Sequence, residues 1–301
     1  MSIQISNLSK KYGEQLVLND VNFNIGAGEV VGFLGPNGAG KTTTMKILTA
    51  SLSYENGSVK VCGLEVRDNQ LETSALIGYL PEQNPLYTEM YVKEYLLFVA
   101  DTYKLGKEKR ARVDELIDLV GLRPEYRKKI GQLSKGYRQR VGLAQALIPN
   151  PKVLIFDEPT TGLDPNQLEE IRNLIREIGK DRTVLLSTHI MQEIKAICNR
   201  VIIINKGEIA ADYGDLSEMN AFEEGQLQFE VEFLNPVDIE ILQKIKDIVS
   251  INSQSDRNFI VMSSSDIRSE IFDFAVETNN KLLVLNLVEK TIEDVFKKLT
   301  Q

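Results

Sequence analysis

The sequence has no tryptophan, one histidine and two cysteines among its 301 residues. Cys62 and Cys198 have neither the number nor the spacing of a disulfide framework or a zinc site, so both thiols are expected to be free and buried. The lone histidine, His189, is by itself more typical of an incidental core or surface position than of a catalytic one. Its meaning therefore depends on the segments around it.

Long apolar segments are also missing. No run approaches the ~18 residues that a membrane-spanning helix needs. The start, MSIQISNLSKKYGEQ, is polar where a signal peptide would carry its apolar segment. With 43% apolar and 26% charged residues, the composition is that of an ordinary globular protein. These features predict a soluble, cytoplasmic chain.

The net charge of −8 is unevenly distributed. Residues 221–301 hold 8 Lys and Arg against 15 Asp and Glu, a net charge of −7, which leaves −1 for residues 1–220. A broad nucleic-acid-binding surface needs clustered Lys and Arg, so no nucleic-acid partner is expected. The short basic runs at 107–112 and 127–129 are expected to be solvated faces and loops.

Residues 1–220 alternate between strand-like and helix-like segments. Residues 2–33 alternate apolar and polar side chains between turn signals, and they predict short strands. The run VVGFLG is typical of a strand buried on both faces, and strand-like runs return as KVLIFD, TVLLS and RVIIIN. Helical stripes at 166–179 and 190–198 separate the later runs. This alternation predicts an α/β fold with a mostly parallel sheet.

Residues 86–150 have a helical period instead and predict a helical insertion. Thr88 is the candidate N-cap of a first helix. The apolar face of that helix would consist of Val92, Tyr95, Leu96 and Val99. A second stripe consists of Val113, Leu116, Ile117 and Val120.

Residues 221–301 form a separate predicted domain. GQLQFEVEF predicts a strand, 236–247 a helix, 248–263 two strands and 266–279 a helix. The strand KLLVLNL and a terminal helix follow. The order βαββαβ plus a helix predicts a small ferredoxin-like α+β domain. It contains no chemical motif, so we expect it to pack and to stabilise a dimer, with a regulatory contact as the alternative.

Residues 35–42, GPNGAGKT, match the pattern of a phosphate-binding P-loop, G-x-x-x-x-G-K-[ST]. They lie between a predicted strand and a predicted helix, as a P-loop requires. Glycines at these positions let backbone N–H groups surround phosphate oxygens, and the helix adds its positive end. Lys41 is predicted to reach the β and γ phosphates of a nucleotide. The hydroxyl of Thr42 is predicted to bind Mg²⁺.

Two adjacent acids end the apolar run VLIFDEP at 153–159. A P-loop needs a second metal contact from an acid at the end of a neighbouring buried strand. Asp157 is predicted to hold Mg²⁺ through water, and Glu158 to lie where water attacks the γ-phosphate. A simple helix cap is the alternative for this pair. Beside a P-loop, nucleotide hydrolysis is the favoured interpretation.

Three further segments give residues 1–220 a resemblance to a known family. QLSKGYRQRVGLAQAL, at 132–147, places Ser134 at a helix start and Gly136 where backbone can approach a ligand. TTGLDP follows the acid pair, and STHIM contains His189. In this order the motifs resemble the nucleotide-binding subunit of ABC transporters. The resemblance implies a P-loop NTPase fold, with a RecA-like core, an antiparallel β subdomain and the helical insertion.

The resemblance also assigns roles around ATP. Tyr12 resembles the aromatic residue that stacks on adenine, although alone it would be an ordinary strand-end residue. Gln83 resembles the Q-loop glutamine that contacts Mg²⁺ and water, although it could be a surface loop residue. The Walker A loop corresponds to Gly35, Pro36, Asn37, Gly38, Ala39, Gly40, Lys41, Thr42 and Thr43.

Asp157 and Glu158 resemble Walker B and its catalytic carboxylate, and Asp164 resembles the D-loop aspartate. His189 resembles the switch histidine, which implies that its imidazole contacts a γ-phosphate oxygen and the attacking water. Ser134 could be only an N-cap. In the family it also aims a helix N-terminus at the γ-phosphate held by another subunit.

The resemblance implies two protein partners. A second cassette would complete each ATP site in a head-to-tail dimer, expected to be a homodimer. A permease would dock a cytoplasmic helix beside Gln83 and the helical insertion. The chain would thus sit on the inner face of the membrane through its permease.

Residues 133–137 resemble the signature segment of the family but depart from its commonest form, LSGGQ, because they read LSKGY. Lys135 and Tyr137 replace Gly and Gln, whereas Ser134 and Gly136 remain. This variant resembles the subunits paired with ABC-2-type permeases, an exporter-like group, as does the ending TIEDVFKKLT. Within that group the chain resembles the ATP-binding subunits associated with bacterial gliding motility. The added charge of Lys135 puts the turnover rate in question.

Two other functions fit less well. A soluble ABC ATPase that acts on nucleic acid or ribosomes would be expected to carry two cassettes, coiled coils or zinc-binding insertions, which this sequence lacks. A non-hydrolysing regulatory module is disfavoured because every catalytic position is filled.

Overall fold

The computed structural model describes residues 1–214 and 227–288. Its described residues belong to two compact units, 1–214 and 227–288. Within these ranges no helix has both the length and the apolar content to cross a membrane.

The first unit is built on a six-stranded sheet. Five of its strands are parallel. Four of them are the apolar runs predicted as strands, and Val30–Leu34 is buried throughout, as expected of a strand covered on both faces. The fifth, Ile77–Leu80, is not among the predicted runs. The sheet order is β10-β9-β3-β8-β7-β6, with β10 antiparallel to β9. The strands are β3 (Val30–Leu34), β6 (Ile77–Leu80), β7 (Val153–Asp157), β8 (Thr183–Thr188), β9 (Arg200–Asn205) and β10 (Glu208–Tyr213).

A second, antiparallel sheet of four strands packs over this core. Its order is β2-β1-β4-β5, and the strands are β1 (Ile3–Tyr12), β2 (Gln15–Ile25), β4 (Asn56–Val61) and β5 (Leu64–Glu65). Buried side chains from both sheets and from the first helix share one apolar core, which includes Phe23, Phe33 and Met45. The ring centroids of Phe23 and Phe33 are 5.5 Å apart across it. The expectation of a P-loop fold with an antiparallel β subdomain is confirmed.

Within the described residues, four helices connect the strands of this core. The helices of the core are α1 (Lys41–Leu48), α2 (Gln70–Leu76), α6 (Pro165–Gly179) and α7 (Met191–Ile197). Helix α6 carries Asp164 as its N-cap and Pro165 in its first turn, a combination that favours a helix start. The helical stripes predicted at 166–179 and 190–198 agree with α6 and α7.

The predicted insertion contains α3 (Val92–Thr102), α4 (Lys109–Leu119) and α5 (Lys135–Leu147), with short 3₁₀ turns at Gly106–Glu108 and Ile130–Gln132. The prediction that Thr88 caps the first helix is wrong. Helix α3 begins at Val92 with Tyr91 as its N-cap, and Glu94 Oε2 accepts a hydrogen bond from the Tyr91 N–H at 3.3 Å.

The backbone of Thr88 bonds to a different segment of the chain. Its carbonyl accepts the Gly131 N–H at 2.8 Å, and the Ile130 N–H donates to the Met90 carbonyl at 2.9 Å. Residues 88 and 89 lie in a turn closed by the bond from the Met90 N–H to the Tyr87 carbonyl at 3.1 Å, and Tyr91 bridges to Lys129, so the helix begins only at Val92.

The second unit has the predicted order βαββαβ. Its antiparallel sheet has the order β12-β13-β11-β14, which is the arrangement of a ferredoxin-like domain. The elements are β11 (Leu227–Phe233), α8 (Ile239–Leu242), β12 (Ile248–Ser253), β13 (Asn258–Ser263), α9 (Arg268–Glu277) and β14 (Leu282–Val288). The predicted terminal helix lies outside the described residues.

The helix predicted at 236–247 is much shorter in the structure, where only Ile239–Leu242 is helical. Asp247 adopts a left-handed backbone conformation, with φ of 67°. Its carbonyl accepts the Ser264 N–H at 3.0 Å and the Ser263 hydroxyl at 2.9 Å. Residues 243–247 form turns, and these bonds lead the chain into the following strand, so helix is excluded at the end of the predicted range.

Candidate ATPase site

The loop between β3 and α1 forms the base of a cavity of about 590 Å³. Gly38 and Gly40 have φ of 80° and 111°, a backbone region that side chains other than glycine rarely enter. A Cβ atom on Gly40 would lie 2.6 Å from Leu18 Cδ2, so packing also demands glycine there. The cavity is lined by Gln15, Val17, Asn37, Gly38, Gly40, Lys41, Thr42, Thr43, Glu82, Glu158, Thr161 and His189.

Lys41 lies in the first turn of α1, and its ammonium is turned into the loop. Nζ donates hydrogen bonds to the carbonyls of Gly35 at 2.7 Å and Pro36 at 3.2 Å. It also lies 3.8 Å from Glu158 Oε1. Burial lowers the pKa of Lys41 below its usual value, and the nearby carboxylates, led by Glu158, oppose that shift. The loop thus holds a buried cation at the position predicted for phosphate contact.

Asp157 ends β7 and is almost fully buried. Its Oδ1 accepts a hydrogen bond from the Ser187 hydroxyl. Its Oδ2 is buried and has no hydrogen-bond partner among the described residues. A buried carboxylate oxygen is costly to leave unpaired, so a cation or a water must satisfy Oδ2.

The donors near the P-loop fit Mg²⁺ in particular. Within the described ranges no three His, Cys, Asp or Glu side chains form a metal cage. Mg²⁺ is usually bound by one or two carboxylates together with substrate phosphates and water, rather than by an all-protein cage. Asp157 with its unpaired oxygen and the hydroxyl of Thr42, which lines the cavity, match that pattern.

Glu158 and His189 meet at the mouth of the cavity. His189 Nδ1 lies 2.9 Å from Oε1 and 3.0 Å from Oε2 of Glu158. The Thr161 hydroxyl donates to Oε2 at 3.0 Å. The Glu158 side chain is 8% exposed and that of His189 is 43% exposed, so the pair spans the boundary between protein and solvent. A carboxylate and an imidazole in contact can orient and deprotonate a water.

The backbone at Glu158 is unusual, because its φ is 51°. A non-glycine residue in this region costs about 1–3 kcal/mol and persists only where its surroundings hold it. Here the Glu158 N–H donates to the carbonyl of Ser187 at 3.1 Å and to the hydroxyl of the same residue at 3.2 Å. The end of β8 therefore fixes the strained turn that aims Glu158 at the cavity.

The signature segment starts helix α5. Ser134 is its N-cap and accepts the Tyr137 N–H at 3.3 Å. Gly136 is buried, and a Cβ there would lie 2.7 Å from the Gln167 side chain. Lys135 extends over Gly162, since a Cβ on that glycine would lie 2.3 Å from Lys135 Nζ. The added cation therefore contacts the segment that follows the acid pair.

Asp164 accepts the Gln167 N–H at 2.9 Å as the N-cap of α6. Neither Asp164 nor the two signature residues, Ser134 and Gly136, line the cavity among the described residues. Within one chain these three positions are separate from the P-loop site.

Two predicted contact residues, Gln83 and Tyr12, are not among the residues that line the cavity. Gln83 is exposed and is not among the residues that line the cavity, whereas its neighbour Glu82 is. Tyr12 ends β1 with its side chain 48% exposed, and Gln15 and Val17 line the cavity instead. Gln15 and Val17 share one face of β2 by their spacing of two, a signal that the alternating pattern of residues 2–33 already contained.

Known proteins are similar to this chain in sequence and in fold. A family model described as ABC transporter matches residues 18–161. The chain is 33% identical over 301 residues to the bacitracin transport ATP-binding protein BcrA of Bacillus licheniformis, which covers 99% of this chain and 96% of that protein. It is 36% identical over 215 residues to the Nod factor export ATP-binding protein I of Burkholderia orbicola, 70% of each chain.

A solved structure of an ATP-binding cassette is also similar to this chain. The dimeric post-hydrolysis state of the ATP-binding cassette MJ0796, bound to ADP and Pi, matches with a TM-score of 0.63 and 29% identity, over 70% of this chain and 97% of that one. The P-loop, the acid pair and the histidine around one cavity define a P-loop ATPase. The chain belongs to the ATP-binding proteins of the ABC transporter family, and it binds and hydrolyses ATP.

Proposed function

We propose that this chain powers an ABC-2-type permease that acts as an exporter, and that this transporter belongs to the group associated with gliding motility. The observation that carries the proposal is the signature LSKGY, which retains Ser134 and Gly136 but has Lys135 over Gly162. One relative supports the direction of transport, because it is named for Nod factor export, and another is named for bacitracin transport.

The proposed chemistry uses the residues at the cavity. Lys41 leaves the carbonyls of Gly35 and Pro36 for the β and γ phosphates of ATP, while the loop N–H groups hold phosphate oxygens. Glu158 then polarises the attacking water and accepts its proton. His189 orients that water and stabilises the γ-phosphate oxygen, at the place where negative charge develops.

Thr42, Asp157 and Gln83 would hold Mg²⁺. When bound, this ion neutralises phosphate charge and orients the phosphate oxygens. The described positions of Thr42 and Asp157 fit this role, whereas Gln83 would have to turn towards the cavity. Tyr12 would likewise need to turn in order to stack on adenine.

We propose a homodimer as the active form. Ser134, Gly136 and Asp164 do not line the cavity of their own chain, which fits a role at the cavity of a second copy. The N-terminus of α5, capped by Ser134, would then point at the γ-phosphate of the partner. The related cassette MJ0796 is dimeric in its structure with ADP and Pi.

A groove of about 270 Å³ supports the proposed permease contact. It lies between the segment around Gln83 and the helical insertion, and Tyr103 and Gln145 form one side of it. On the other side the Tyr79 hydroxyl is buried without a partner among the described residues. A cytoplasmic helix of the permease that docks here would place the chain at the inner face of the membrane.

The C-terminal unit is proposed to be an accessory domain that packs and stabilises the dimer. It contains its own apolar core, centred on Phe229, Phe233 and Phe259. The proposed boundaries are 1–220 for the cassette, with the helical insertion at 86–150, and 221–301 for the accessory domain.

The test of the transporter proposal is a pull-down of the ATP-bound state. A tagged Glu158→Gln variant, isolated with Mg-ATP from gently solubilised native membranes, should co-purify a multi-span permease. The same variant with Lys41→Ala should lose it. Recovery with ribosomes or DNA, and ATPase stimulation by nucleic acid with a strong salt dependence, would favour the soluble alternative instead. The relatives, which are transport proteins, do not favour that alternative.

A further inference from the structure

Glu193 is a fully buried carboxylate in the first turn of α7, outside the ATP cavity. One of its oxygens, Oε1, accepts a hydrogen bond from the Thr160 hydroxyl. The other, Oε2, accepts the Thr188 hydroxyl at 2.6 Å. The two threonines are themselves at most 2% exposed, so both bonds are shielded from water. Such bonds to a buried carboxylate are strong and directional.

Thr160 belongs to the segment that carries Glu158. It lies two residues after Glu158, and its carbonyl accepts the Leu163 N–H at 3.2 Å in the turn that leads towards α6. The next residue, Thr161, donates its hydroxyl to Glu158. A shift of Thr160 would therefore move the turn from which the Glu158 carboxylate projects.

Thr188 belongs to the segment that carries His189. Its hydroxyl accepts the Ile190 N–H at 3.0 Å, and its carbonyl accepts the N–H of Gly35, the first P-loop residue, at 3.4 Å. Thr188 thus contacts both the histidine segment and the phosphate loop. Glu193 is the group that joins Thr188 to Thr160.

We propose that Glu193 is a positioning residue for ATP hydrolysis, which fixes Glu158 relative to His189 by holding Thr160 and Thr188 at once. The inference rests on the proposed roles of Glu158 and His189. Because water attack requires the carboxylate and the imidazole to be aligned to within fractions of an ångström, loss of this link should slow the chemical step rather than weaken ATP binding.

The test compares kcat, KM for ATP and Tm in near-isosteric variants. Glu193→Gln keeps the shape of the side chain but replaces one acceptor oxygen with a donor, so one threonine can no longer donate to it and both bonds lose the carboxylate charge. We expect kcat to fall about 10-fold, with KM for ATP changed by less than about twofold and Tm close to that of the parent. The whole chain is used throughout.

Thr160→Val and Thr188→Val test the same link from its other ends. Each should lower kcat in the parent. In the Glu193→Gln background their effects should fall short of additive, because the link is already broken. These variants also keep the test decisive if Glu193→Gln does not fold.

The matched control is Thr73→Val. Thr73 is fully buried in the same unit, but its hydroxyl donates to the Asn69 carbonyl at 2.8 Å in α2. It should change Tm without changing kcat. If Glu193→Gln behaves in the same way, or lowers ATP binding and Tm in step with kcat, Glu193 is only a core residue and the proposal is wrong.

Glu158→Gln and His189→Ala distinguish a failure of the proposed catalytic roles from a failure of the positioning role of Glu193. If both retain parental turnover, the proposed catalytic roles fail and the positioning role fails with them. If both lose turnover while Glu193→Gln and the two valine variants keep it, only the positioning role is overturned.

Discussion

His189 Nδ1 lies 2.9 Å from Glu158 Oε1, although the two residues are 31 positions apart in the sequence. They meet because β7 and β8 are parallel neighbours, with Asp157 paired to Ser187 in register. The residues that follow two parallel strands emerge at the same sheet edge, which is where α/β proteins bind their ligands.

Glu158→Gln should lower kcat for ATP hydrolysis by at least about 100-fold, because the amide cannot accept a proton from water. ATP affinity should stay close to that of the parent, since Lys41 and the loop N–H groups remain. Steady-state ATPase assays and titration calorimetry measure the two quantities. Glu177→Gln, at an exposed position on α6, is the control. Parental turnover in Glu158→Gln would refute the role of Glu158.

Lys41→Met should weaken ATP binding by about 10- to 100-fold, because a charge-assisted phosphate contact is lost. It should also remove a pH dependence of stability. Burial lowers the pKa of Lys41, so between that lowered pKa and the ordinary 10.5 the folded protein binds fewer protons than the unfolded chain. The free energy of unfolding of the parent should therefore gain a rising component with pH in this window.

Urea titrations of the nucleotide-free protein from pH 8 upwards measure this component as the difference between parent and variant. The exposed Lys180 offers the control Lys180→Met, which should leave the slope unchanged. Equal slopes for the parent and Lys41→Met would show that the pKa of Lys41 is not lowered by burial.

Ser187→Ala should raise the Mg²⁺ concentration needed for half-maximal ATPase activity by about 10-fold, the usual cost of losing a group that orients a metal ligand. Its hydroxyl donates to Asp157 Oδ1 and therefore orients the carboxylate whose Oδ2 is unpaired among the described residues. Activity should recover at high Mg²⁺. An equal loss at every Mg²⁺ concentration would instead indicate that Ser187 acts through the backbone of Glu158.

Gly162→Ala should lower the free energy of unfolding by about 1 kcal/mol, because φ at this position is 72°. The Lys135 ammonium that a methyl group would meet is the end of a flexible chain and can move aside. Removal of the Lys135 side chain should therefore not reduce the cost of the added methyl group. Gly162→Ala should lower the free energy of unfolding by the same amount in the parent and in Lys135→Ala. Gly214→Ala, with no atom of the described residues within 4 Å of its Cβ, is the control.

Deletion of 221–301 should weaken the ATP-dependent dimer while the turnover of each assembled dimer stays the same. Sedimentation of the Glu158→Gln background with Mg-ATP measures the dimer affinity, and ATPase assays at saturating protein measure turnover. A changed turnover would favour a regulatory contact. Unchanged affinity and turnover would exclude both roles.

The sequence was most informative where local pattern and tertiary environment agree. The runs VLIFD and TVLLST are apolar in their centres, and the structure buries every residue of β7 and β8. One cavity is lined by Lys41, Thr42, Glu158 and His189, which belong to three separate segments of the sequence. Parallel strands bring these segments together, so a motif at a strand end is positioned by the sheet itself.

Predictions failed where a distant segment decides the local structure. The N-cap assigned to Thr88 is wrong because Gly131, 43 positions away, takes its carbonyl. The helix predicted at 236–247 cannot reach its predicted end because the carbonyl of Asp247 bonds to residues 263 and 264. Two further contacts have no local signal in the sequence: Glu82 lines the cavity, and Glu193 accepts hydrogen bonds from Thr160 and Thr188.

At position 158 the backbone is left-handed, so the residue types that favour folding differ from the one that the proposed chemistry needs. Glycine and asparagine adopt φ near 51° at the lowest cost, so folding alone favours them there. A saturation library at this position, sorted for cellular abundance, should enrich those two residues. The same library sorted for ATP turnover should return glutamate, so the two selections rank the position in opposite ways.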